Sequence, residues 1–302
     1  MAFVSEELRV MWFLMFFLCL RYKRPIAIII EIRIAITVIL IIRMPVLIRG
    51  INIEIITVIS YVCKYIELLS NYPSFCYFCA MLKANGIVKS FGNLKVLGGL
   101  DFYAQEREVI SIVGRSGAGK TTFLQILGTL MRPDSGSVTI DGTNIISLSP
   151  RDLSKLRNTK IGFVFQFHYL LPEFTALENV MMPALIGEMS GYCKCSGRHI
   201  KERALELLAD MGLSDRVEHK PSELSGGEQQ RVAIARALIN GPSVIFADEP
   251  SGNLDTQNKI EIHDLFFHLR EKYGQTIIIV THDRDLAERS DRILEMRDGL
   301  FI

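Results

Sequence analysis

The residues whose types and spacing point most directly to chemistry form the string GRSGAGKTT, Gly114 to Thr122. It matches G-x-x-x-x-G-K-[ST] and stands between a short apolar run, Glu108 to Val113, and an amphipathic run that begins at Phe123. Glycines allow close approach of the backbone, and the N–H groups of such a loop and of the following helix face an anion. The sequence therefore predicts a phosphate-binding loop made of Gly114, Arg115, Ser116, Gly117, Ala118, Gly119, Lys120, Thr121 and Thr122.

Two side chains of this loop and two acids farther along the chain suit the hydrolysis of a nucleoside triphosphate. Lys120 would place its charge against the β- and γ-phosphates, and the Thr121 hydroxyl would ligate Mg²⁺. A second apolar run, Val244 to Ala247, ends in Asp248 and Glu249. Ligands bind at the carboxyl ends of parallel strands, so both acids are expected beside the loop. We predict that Asp248 binds Mg²⁺ through water and that Glu249 deprotonates the attacking water.

A third apolar run, Thr276 to Val280, is followed by His282. As a strand it would deliver this histidine to the same edge of the sheet, where an imidazole can stabilise charge that develops on the γ-phosphate. The predicted catalytic side chains are therefore Glu249 and His282.

A fourth motif, LSGGEQQ, occupies Leu224 to Gln230 and precedes an amphipathic pattern that predicts a helix over about residues 228–240. A serine and two glycines before a helix make a second anion-binding N-terminus. A single nucleotide does not need two such sites from one subunit, so the pattern indicates that the site is shared between chains. Its residues are Ser225, Gly226, Gly227 and Glu228.

Together these motifs resemble those of the ATP-binding-cassette family, from about Met81 to the C-terminus. The resemblance implies an α/β fold with a RecA-like P-loop nucleotide-binding core, an antiparallel β-subdomain and an inserted helical subdomain at about residues 167–222. It implies ATP and Mg²⁺ as ligands. It also implies a head-to-tail homodimer in which each ATP lies between the phosphate loop of one subunit and the LSGGEQQ motif of the other.

The same resemblance assigns roles to residues that the four motifs do not contain. Phe91 would stack on the adenine ring, and Gln166 would contact both Mg²⁺ and the attacking water. The segment from Ser251 to Asp255 would cross the dimer interface, and Ser225 to Glu228 would contact ATP bound to the other subunit.

Two further strings, Ile161 to His168 and Leu170 to Val180, resemble the ATPase subunits of lipoprotein-releasing systems, in a subfamily with macrolide-efflux and cell-division relatives. This resemblance implies a peripheral ATPase on the cytoplasmic face of the bacterial inner membrane, bound to integral permease subunits. Lipoprotein release toward the outer membrane is the leading function. The alternatives are macrolide-type efflux and a regulatory ATPase that controls cell-wall hydrolases. The segment from Met189 to His199, with Cys193 and Cys195, departs from that group and is expected to form a surface turn.

Charge and cysteine usage argue against two other classes of function. The 34 basic and 33 acidic side chains nearly balance, and no cluster of Lys and Arg suits a nucleic-acid backbone. Cys76 and Cys79 have C-x-x-C spacing, but no second pair or histidine cluster completes a zinc site. We therefore expect no nucleic-acid partner and no metal cluster.

Residues 1–80 differ in composition from the rest of the chain, with 17 of its 37 isoleucines. One apolar run, residues 26–42, contains Glu31 and Arg33, and each such charge costs about 2.5–3.5 kcal/mol near the centre of a membrane helix. The stretch is compatible with a poor membrane anchor, a soluble extension, or upstream DNA translated from a misassigned start codon. We favour the last interpretation, which leaves residues 81–302 as the ATPase domain.

Overall fold

The computed structural model describes residues 80–192 and 197–302. The predictions for residues 1–79 and for Cys193 and Cys195 lie outside the described residues. In chain order the strands are β1 (Leu82–Phe91), β2 (Leu94–Ala104), β3 (Val109–Val113), β4 (Ser135–Ile140), β5 (Thr143–Asn144), β6 (Ile161–Phe165), β7 (Val244–Asp248), β8 (Thr276–Val280), β9 (Arg292–Arg297) and β10 (Leu300–Phe301). The α-helices are α1 (Lys120–Leu127), α2 (Pro150–Lys160), α3 (Ala176–Met189), α4 (Gly197–Asp210), α5 (Gly226–Leu238), α6 (Thr256–Tyr273) and α7 (Arg284–Glu288).

A six-stranded sheet with the order β10-β9-β3-β8-β7-β6 forms the centre of the described fold. Its strands are parallel except for β10, which pairs antiparallel with β9. All five residues of β8 are buried, as are the first four of β3 and of β7. Strands covered on both faces read as continuous apolar runs, which is why the sequence revealed these three. The α/β fold class is confirmed.

The register of the parallel strands aligns the residues that precede the predicted site. Phe165 pairs with Asp248, Asp248 with Val280, and Ile112 with the same Val280. Four strands therefore end in one row, and the chain leaves each of them at the same edge of the sheet. The loops that follow β3, β6, β7 and β8 are brought together there.

A second, four-stranded antiparallel sheet has the order β2-β1-β4-β5. Its buried side chains join those of α1 in one hydrophobic cluster, where the rings of Phe102 and Phe123 meet edge to face at a centroid distance of 5.7 Å. Edge-to-face aromatic pairs contribute beyond the area that they bury. This sheet thus supports the helix that begins at the phosphate loop.

Helices α3 and α4 pack against each other and against α5 in a second hydrophobic cluster. A capping box between Thr175 and Glu178 begins α3. Gly162 of β6 approaches α5 closely, because a Cβ atom there would lie 2.7 Å from the carbonyl oxygen of Ala237. In the described part of the chain, no helix combines the length and the apolar character needed to cross a membrane.

Helix α5 begins earlier than the sequence predicted. It runs from Gly226 to Leu238, whereas the amphipathic pattern placed it at about residues 228–240. The cause is a capping box, in which Ser225 caps the helix and Glu228 bonds back to the backbone of Ser225. Both glycines of the motif therefore belong to the first turn of the helix.

Candidate active site

The phosphate loop connects β3 to α1 and depends on glycine at two positions in particular. Gly114 has a φ of 154° and Gly119 a φ of 99°. A Cβ atom at Gly114 would clash with the carbonyl group of Met296, and one at Gly119 would lie 2.9 Å from a methyl group of Leu97. Side chains at these positions would push the loop away from the strands beneath it, so the curled backbone requires glycine.

Lys120, the first residue of α1, folds back over its own loop. Its Nζ atom donates hydrogen bonds to the carbonyl oxygens of Gly114, at 2.8 Å, and Arg115, at 3.0 Å. The side chain is buried, so its ammonium group is held in one place. The positive charge consequently lies at the centre of the loop's concave face.

Thr121 of α1 contacts the end of β7. Its Oγ1 atom donates a 3.1 Å hydrogen bond to Oδ1 of Asp248. The pKa of Asp248 is raised, chiefly by burial and also by the nearby charge of Glu249. The hydrogen bond from Thr121 and the charge of Lys120 oppose this rise but do not cancel it. The two side chains place a hydroxyl and a carboxyl oxygen next to the loop, which is a set of donors that a hard divalent cation prefers.

Glu249 and His282 are bonded to each other at the carboxyl edge of the sheet. Oε2 of Glu249 lies 2.8 Å from Nδ1 of His282 and accepts a 3.3 Å hydrogen bond from its backbone N–H. Glu249 has a φ of 46°, in the left-handed region that non-glycine residues rarely adopt. The imidazole itself is exposed.

Gln166 follows β6 and is tied to a residue to which the sequence assigned no separate role. Its Nε2 atom donates a 3.0 Å hydrogen bond to Oδ1 of Asn253, and Nδ2 of Asn253 donates a 3.3 Å bond to the carbonyl oxygen of Gln166. Asn253 belongs to the predicted interface segment from Ser251 to Asp255. No sequence signal connected two amides that lie 87 positions apart.

One cavity of about 520 Å³ collects most of these groups. This volume suits a small-molecule ligand. Every lining residue except Val96 of β2 was predicted, and an aliphatic strand residue carries no signal of such a role. The lining residues are Val96, Gly114, Ser116, Gly117, Gly119, Lys120, Thr121, Thr122, Gln166, Glu249 and His282. A larger cleft, of about 770 Å³, lies at the amino ends of the strands and contains none of the predicted residues.

Some predicted residues lie outside the lining of that cavity. Phe91, at the end of β1, is 49% exposed, and the Nζ atom of Lys89 lies 5.7 Å from the centre of its ring. Arg115 and Ala118 belong to the loop but do not line the cavity. Asp248 does not line it either, but it accepts a hydrogen bond from Thr121, which does. The group at the start of α5 is also absent from the lining: Ser225, Gly226, Gly227 and Glu228.

The start of α5 is nevertheless a helix N-terminus with a complete capping box. Glu228 accepts a 2.8 Å hydrogen bond from the backbone N–H of Ser225, and Arg216 donates a 3.0 Å bond to its other oxygen. The Ser225 N–H bond, with the Arg216 and Ser225 side chains, outweighs the effect of burial and lowers the pKa of Glu228 to about 2. The carboxylate is therefore ionised at neutral pH and fixes the first turn of the helix.

Comparison with known proteins adds the family. The family model described as ABC transporter matches residues 97–252. The chain belongs to the ABC transporter family. ATP is accordingly the nucleotide that it binds, and the chain is an ATPase.

Relatives with a single functional name match the chain over nearly their whole length. The lipoprotein-releasing system ATP-binding protein LolD of Bacteroides thetaiotaomicron is 60% identical over 72% of this chain and 98% of its own. LolD of Porphyromonas gingivalis is 58% identical, over 73% of this chain and 98% of its own. LolD of Aquifex aeolicus is 49% identical, over 74% of this chain and 96% of its own.

Solved structures agree with the fold. An ATP-binding cassette captured as a dimer after hydrolysis, with ADP and Pi bound, has a TM-score of 0.66 and 41% identity, covering 73% of this chain and 96% of that chain. The protein cbiO1 of Clostridium perfringens, part of an ABC transporter complex, has a TM-score of 0.66 and 30% identity, covering 74% of this chain and 87% of that chain.

The ionised Glu228 yields a test of the cap. We expect Glu228→Gln to lower the free energy of unfolding at pH 7 by about 1 kcal/mol, because a charged cap acceptor is lost. The folded-state pKa is depressed, so this contribution is complete above the ordinary carboxyl value of 4.5 and is lost as the pH falls toward about 2. Urea unfolding at a series of pH values would measure the difference. The exposed Glu218→Gln is the control, and an equal effect of both substitutions at pH 7 would contradict the prediction.

Proposed function

We propose that this chain is the ATP-hydrolysing subunit of a lipoprotein-releasing ABC transporter, which drives lipoproteins out of the inner membrane toward the outer membrane. The observation that carries the proposal is the 60% identity to a LolD protein over 98% of that protein's length. The other relatives described above carry the same name, and none of them favours macrolide-type efflux or the control of cell-wall hydrolases.

The loop and Lys120 bind the phosphates of ATP in this proposal. The N–H groups of the loop point at the anion from the start of α1, and the fixed ammonium group of Lys120 neutralises the β- and γ-phosphates. Lys120 exchanges its bonds to the carbonyl oxygens of Gly114 and Arg115 for bonds to phosphate oxygens. Phe91 lies at the end of an antiparallel strand with its ring half exposed, which leaves a face free to stack on adenine.

Glu249 and His282 carry the chemistry. Water attacks the γ-phosphorus, the bond to the β–γ bridging oxygen breaks, and ADP leaves with inorganic phosphate as the second product. Glu249 orients that water and accepts its proton, while His282 and Gln166 contact the γ-phosphate and the water. Because Glu249 and His282 already share a hydrogen bond of 2.8 Å, the two side chains are placed as one unit.

Mg²⁺ fits the oxygen donors beside the loop. Thr121 and Asp248 lie in hydrogen-bond contact at the loop, and Gln166 lines the same cavity with its amide. These three residues would hold the ion, with Asp248 acting through water. When bound, Mg²⁺ neutralises charge on the phosphate oxygens.

A head-to-tail homodimer completes the site. The Ser225 group (Ser225, Gly226, Gly227 and Glu228) does not line the cavity of its own chain, although it presents a capped helix N-terminus of the kind that binds phosphate. We infer that Ser225 of the partner subunit contacts the γ-phosphate held by Lys120, together with Gly226, Gly227 and Glu228 of the partner subunit. The similar cassette that was solved as a dimer supports this arrangement.

An exposed apolar segment after Gln166 suits a membrane partner. Phe167 is 61% exposed and Tyr169 is 66% exposed, and they are followed by exposed Leu171 and Phe174. Arg236 of α5 anchors the segment by donating 2.7 Å hydrogen bonds to the carbonyl oxygens of His168 and Tyr169. Exposed aromatic clusters on a soluble surface mark interaction sites.

The side chain of Asn179, on α3, holds the backbone of the same segment through hydrogen bonds. This side chain is fully buried and donates to the carbonyl oxygens of Leu171, Phe174 and Thr175, while its Oδ1 atom accepts from the N–H of Leu171. A rigid backbone with outward apolar side chains loses little entropy on docking. We propose that it binds integral inner-membrane permease subunits from the cytoplasmic face.

Substituting Glu249 tests the assignment of the catalytic carboxylate. Glu249→Gln should bind ATP as the parent chain does, lower kcat by about 100-fold or more, and accumulate as an ATP-bound dimer, since only the water-activating group is lost. Steady-state hydrolysis and light scattering with ATP would measure both effects. The exposed Glu288→Gln should hydrolyse ATP normally. Normal hydrolysis by Glu249→Gln would contradict the role of Glu249.

Substituting the exposed aromatics tests the partner. With the chain expressed at native level and purified in mild detergent with ATP, mass spectrometry should recover lipoprotein-release permeases. Phe167→Ser with Tyr169→Ser should reduce that recovery about 30-fold, as expected for the loss of aromatic anchors. Ile302→Ser, at an equally exposed apolar residue, is the control. Recovery of a division permease with hydrolase activators would replace the transport proposal by the regulatory one.

A further inference from the structure

A buried polar cluster lies beneath the carboxyl edge of the sheet. Ser251, His263 and Asp283 are each more than 90% buried. The Oγ atom of Ser251 lies 3.0 Å from Nε2 of His263, and the same nitrogen lies 4.0 Å from Oδ2 of Asp283. Lys259, one turn before His263 on α6, forms an ion pair with Asp283. Buried polar side chains cost free energy unless they are paired, and here the pairs are Ser251 with His263 and Lys259 with Asp283.

The cluster joins the two chain segments that carry the proposed chemistry. Ser251 follows Glu249 by two residues, and Asp283 directly follows His282. Helix α6 belongs to neither segment but contacts both, through the bond of His263 to Ser251 and the ion pair of Lys259 with Asp283. Above the cluster the same two segments meet again, through the bond between Glu249 and His282. The exposed bond between Glu249 and His282 thus links the segments directly, and α6 links them a second time through His263 and Lys259.

The charges of the cluster are complementary. Burial lowers the pKa of His263; the carboxylate of Asp283 opposes this, and Lys259 and Arg289 reinforce it. The imidazole is therefore neutral at pH 7. Burial acts to raise the pKa of Asp283, but the bonds from Lys259 and from the N–H of Leu286 outweigh it and lower the value. A neutral imidazole thus stands between a hydroxyl and a carboxylate whose charge Lys259 balances.

The composition of the cluster resembles that of a nucleophilic Ser-His-Asp set, but its position excludes such chemistry. None of its three members lines the cavity that holds Lys120 and Glu249. Ser251 lies in the turn after β7, is only 5% exposed, and is therefore not placed to attack a phosphate in that cavity. The cluster can act on ATP only through the segments to which it is attached.

The backbone conformation of Glu249 has to be held in place by its surroundings. Its φ of 46° is unfavourable for a side chain with a Cβ atom, and such conformations persist only where the surroundings fix them. The N–H of Gly252 bonds to the carbonyl oxygen of Glu249 at 3.0 Å, so the turn is closed above Ser251. The bond between Ser251 and His263 anchors that turn to α6.

We propose that His263 is a positioning residue for ATP hydrolysis: through its bond to Ser251 it fixes the turn that carries Glu249 to α6, the helix to which Lys259 ties the segment that carries His282. This inference rests on the roles proposed above for Glu249 and His282. It assigns a task to a helix residue that no motif contains and that never touches ATP. Misplacement of a catalytic group by a fraction of an ångström lowers the rate of the chemical step more than it lowers ground-state binding.

The test uses the full chain in four variants: His263→Phe, Ser251→Ala, the double variant that combines these two, and His263→Gln. His263→Phe fills the same space without a polar atom, and Ser251→Ala removes the hydroxyl; each should lower kcat about tenfold with KM for ATP unchanged within about twofold. His263→Gln places an amide near the position of Nε2 and should restore kcat to within about threefold of the parent value. The double variant should be no worse than either single one, because both break the same link.

Phe266→Leu separates positioning from general destabilisation. Phe266 is fully buried on the same helix, so its truncation weakens α6 packing without removing a polar bond. It should lower the melting temperature at least as much as His263→Phe and leave kcat unchanged. Glu249→Gln, measured in parallel, reports on the proposed function alone: if it hydrolyses ATP normally, the role of Glu249 is wrong whatever His263 does.

Three results would overturn the inference while Glu249→Gln remains inactive. They are a kcat for His263→Phe within twofold of the parent value, a loss in His263→Gln as large as that in His263→Phe, and additive losses in the double variant. The first would mean that His263 has no part in the rate. The second and third would mean that it acts by packing alone, independently of Ser251.

Discussion

The parallel register of the central sheet is the constraint on which the rest of the site depends. Phe165, Asp248, Val280 and Ile112 lie in one row, so β6, β7, β8 and β3 deliver their following loops to one edge. A slip of one residue in a strand would turn its side chains to the opposite face. The buried faces of these strands prevent such a slip, because each carries apolar side chains into a hydrophobic cluster. The packing of the hydrophobic core therefore also fixes the positions of the loops that carry the site residues.

Sequence reasoning succeeded where a local pattern has a single structural meaning. Buried parallel strands are continuous apolar runs, so β7 and β8 could be predicted. The rule that ligands bind at the carboxyl ends of such strands then predicted that Asp248 and Glu249 lie beside the phosphate loop. Sequence reasoning failed where geometry arises from distant parts of the chain. Val96 lines the cavity only because β2 folds beside the loop. The bonds of Gln166 to Asn253 and of Ser251 to His263 could not be predicted, because these residue types do not by themselves indicate a partner.

The site of one chain is incomplete in a specific way. The groups that can bind phosphate, hold a divalent cation and activate water share one cavity, whereas the capped N-terminus of α5 lies outside its lining. The segment from Ser251 to Asp255 is bonded both to Gln166 of the cavity lining and to α6. It touches Gln166 through Asn253, it is anchored to α6 through Ser251, and its last residue caps α6. A displacement of this short segment would therefore act on Gln166, on α6 and on the turn that carries Glu249.

Enclosure of each ATP by two copies of the chain can be checked in the structure of Glu249→Gln with ATP and Mg²⁺ bound. We expect a symmetric dimer in which the γ-phosphate on Lys120 is within hydrogen-bond distance of Ser225 of the partner subunit. An ATP enclosed by a single chain, with the Ser225 group of both copies facing solvent, would contradict it.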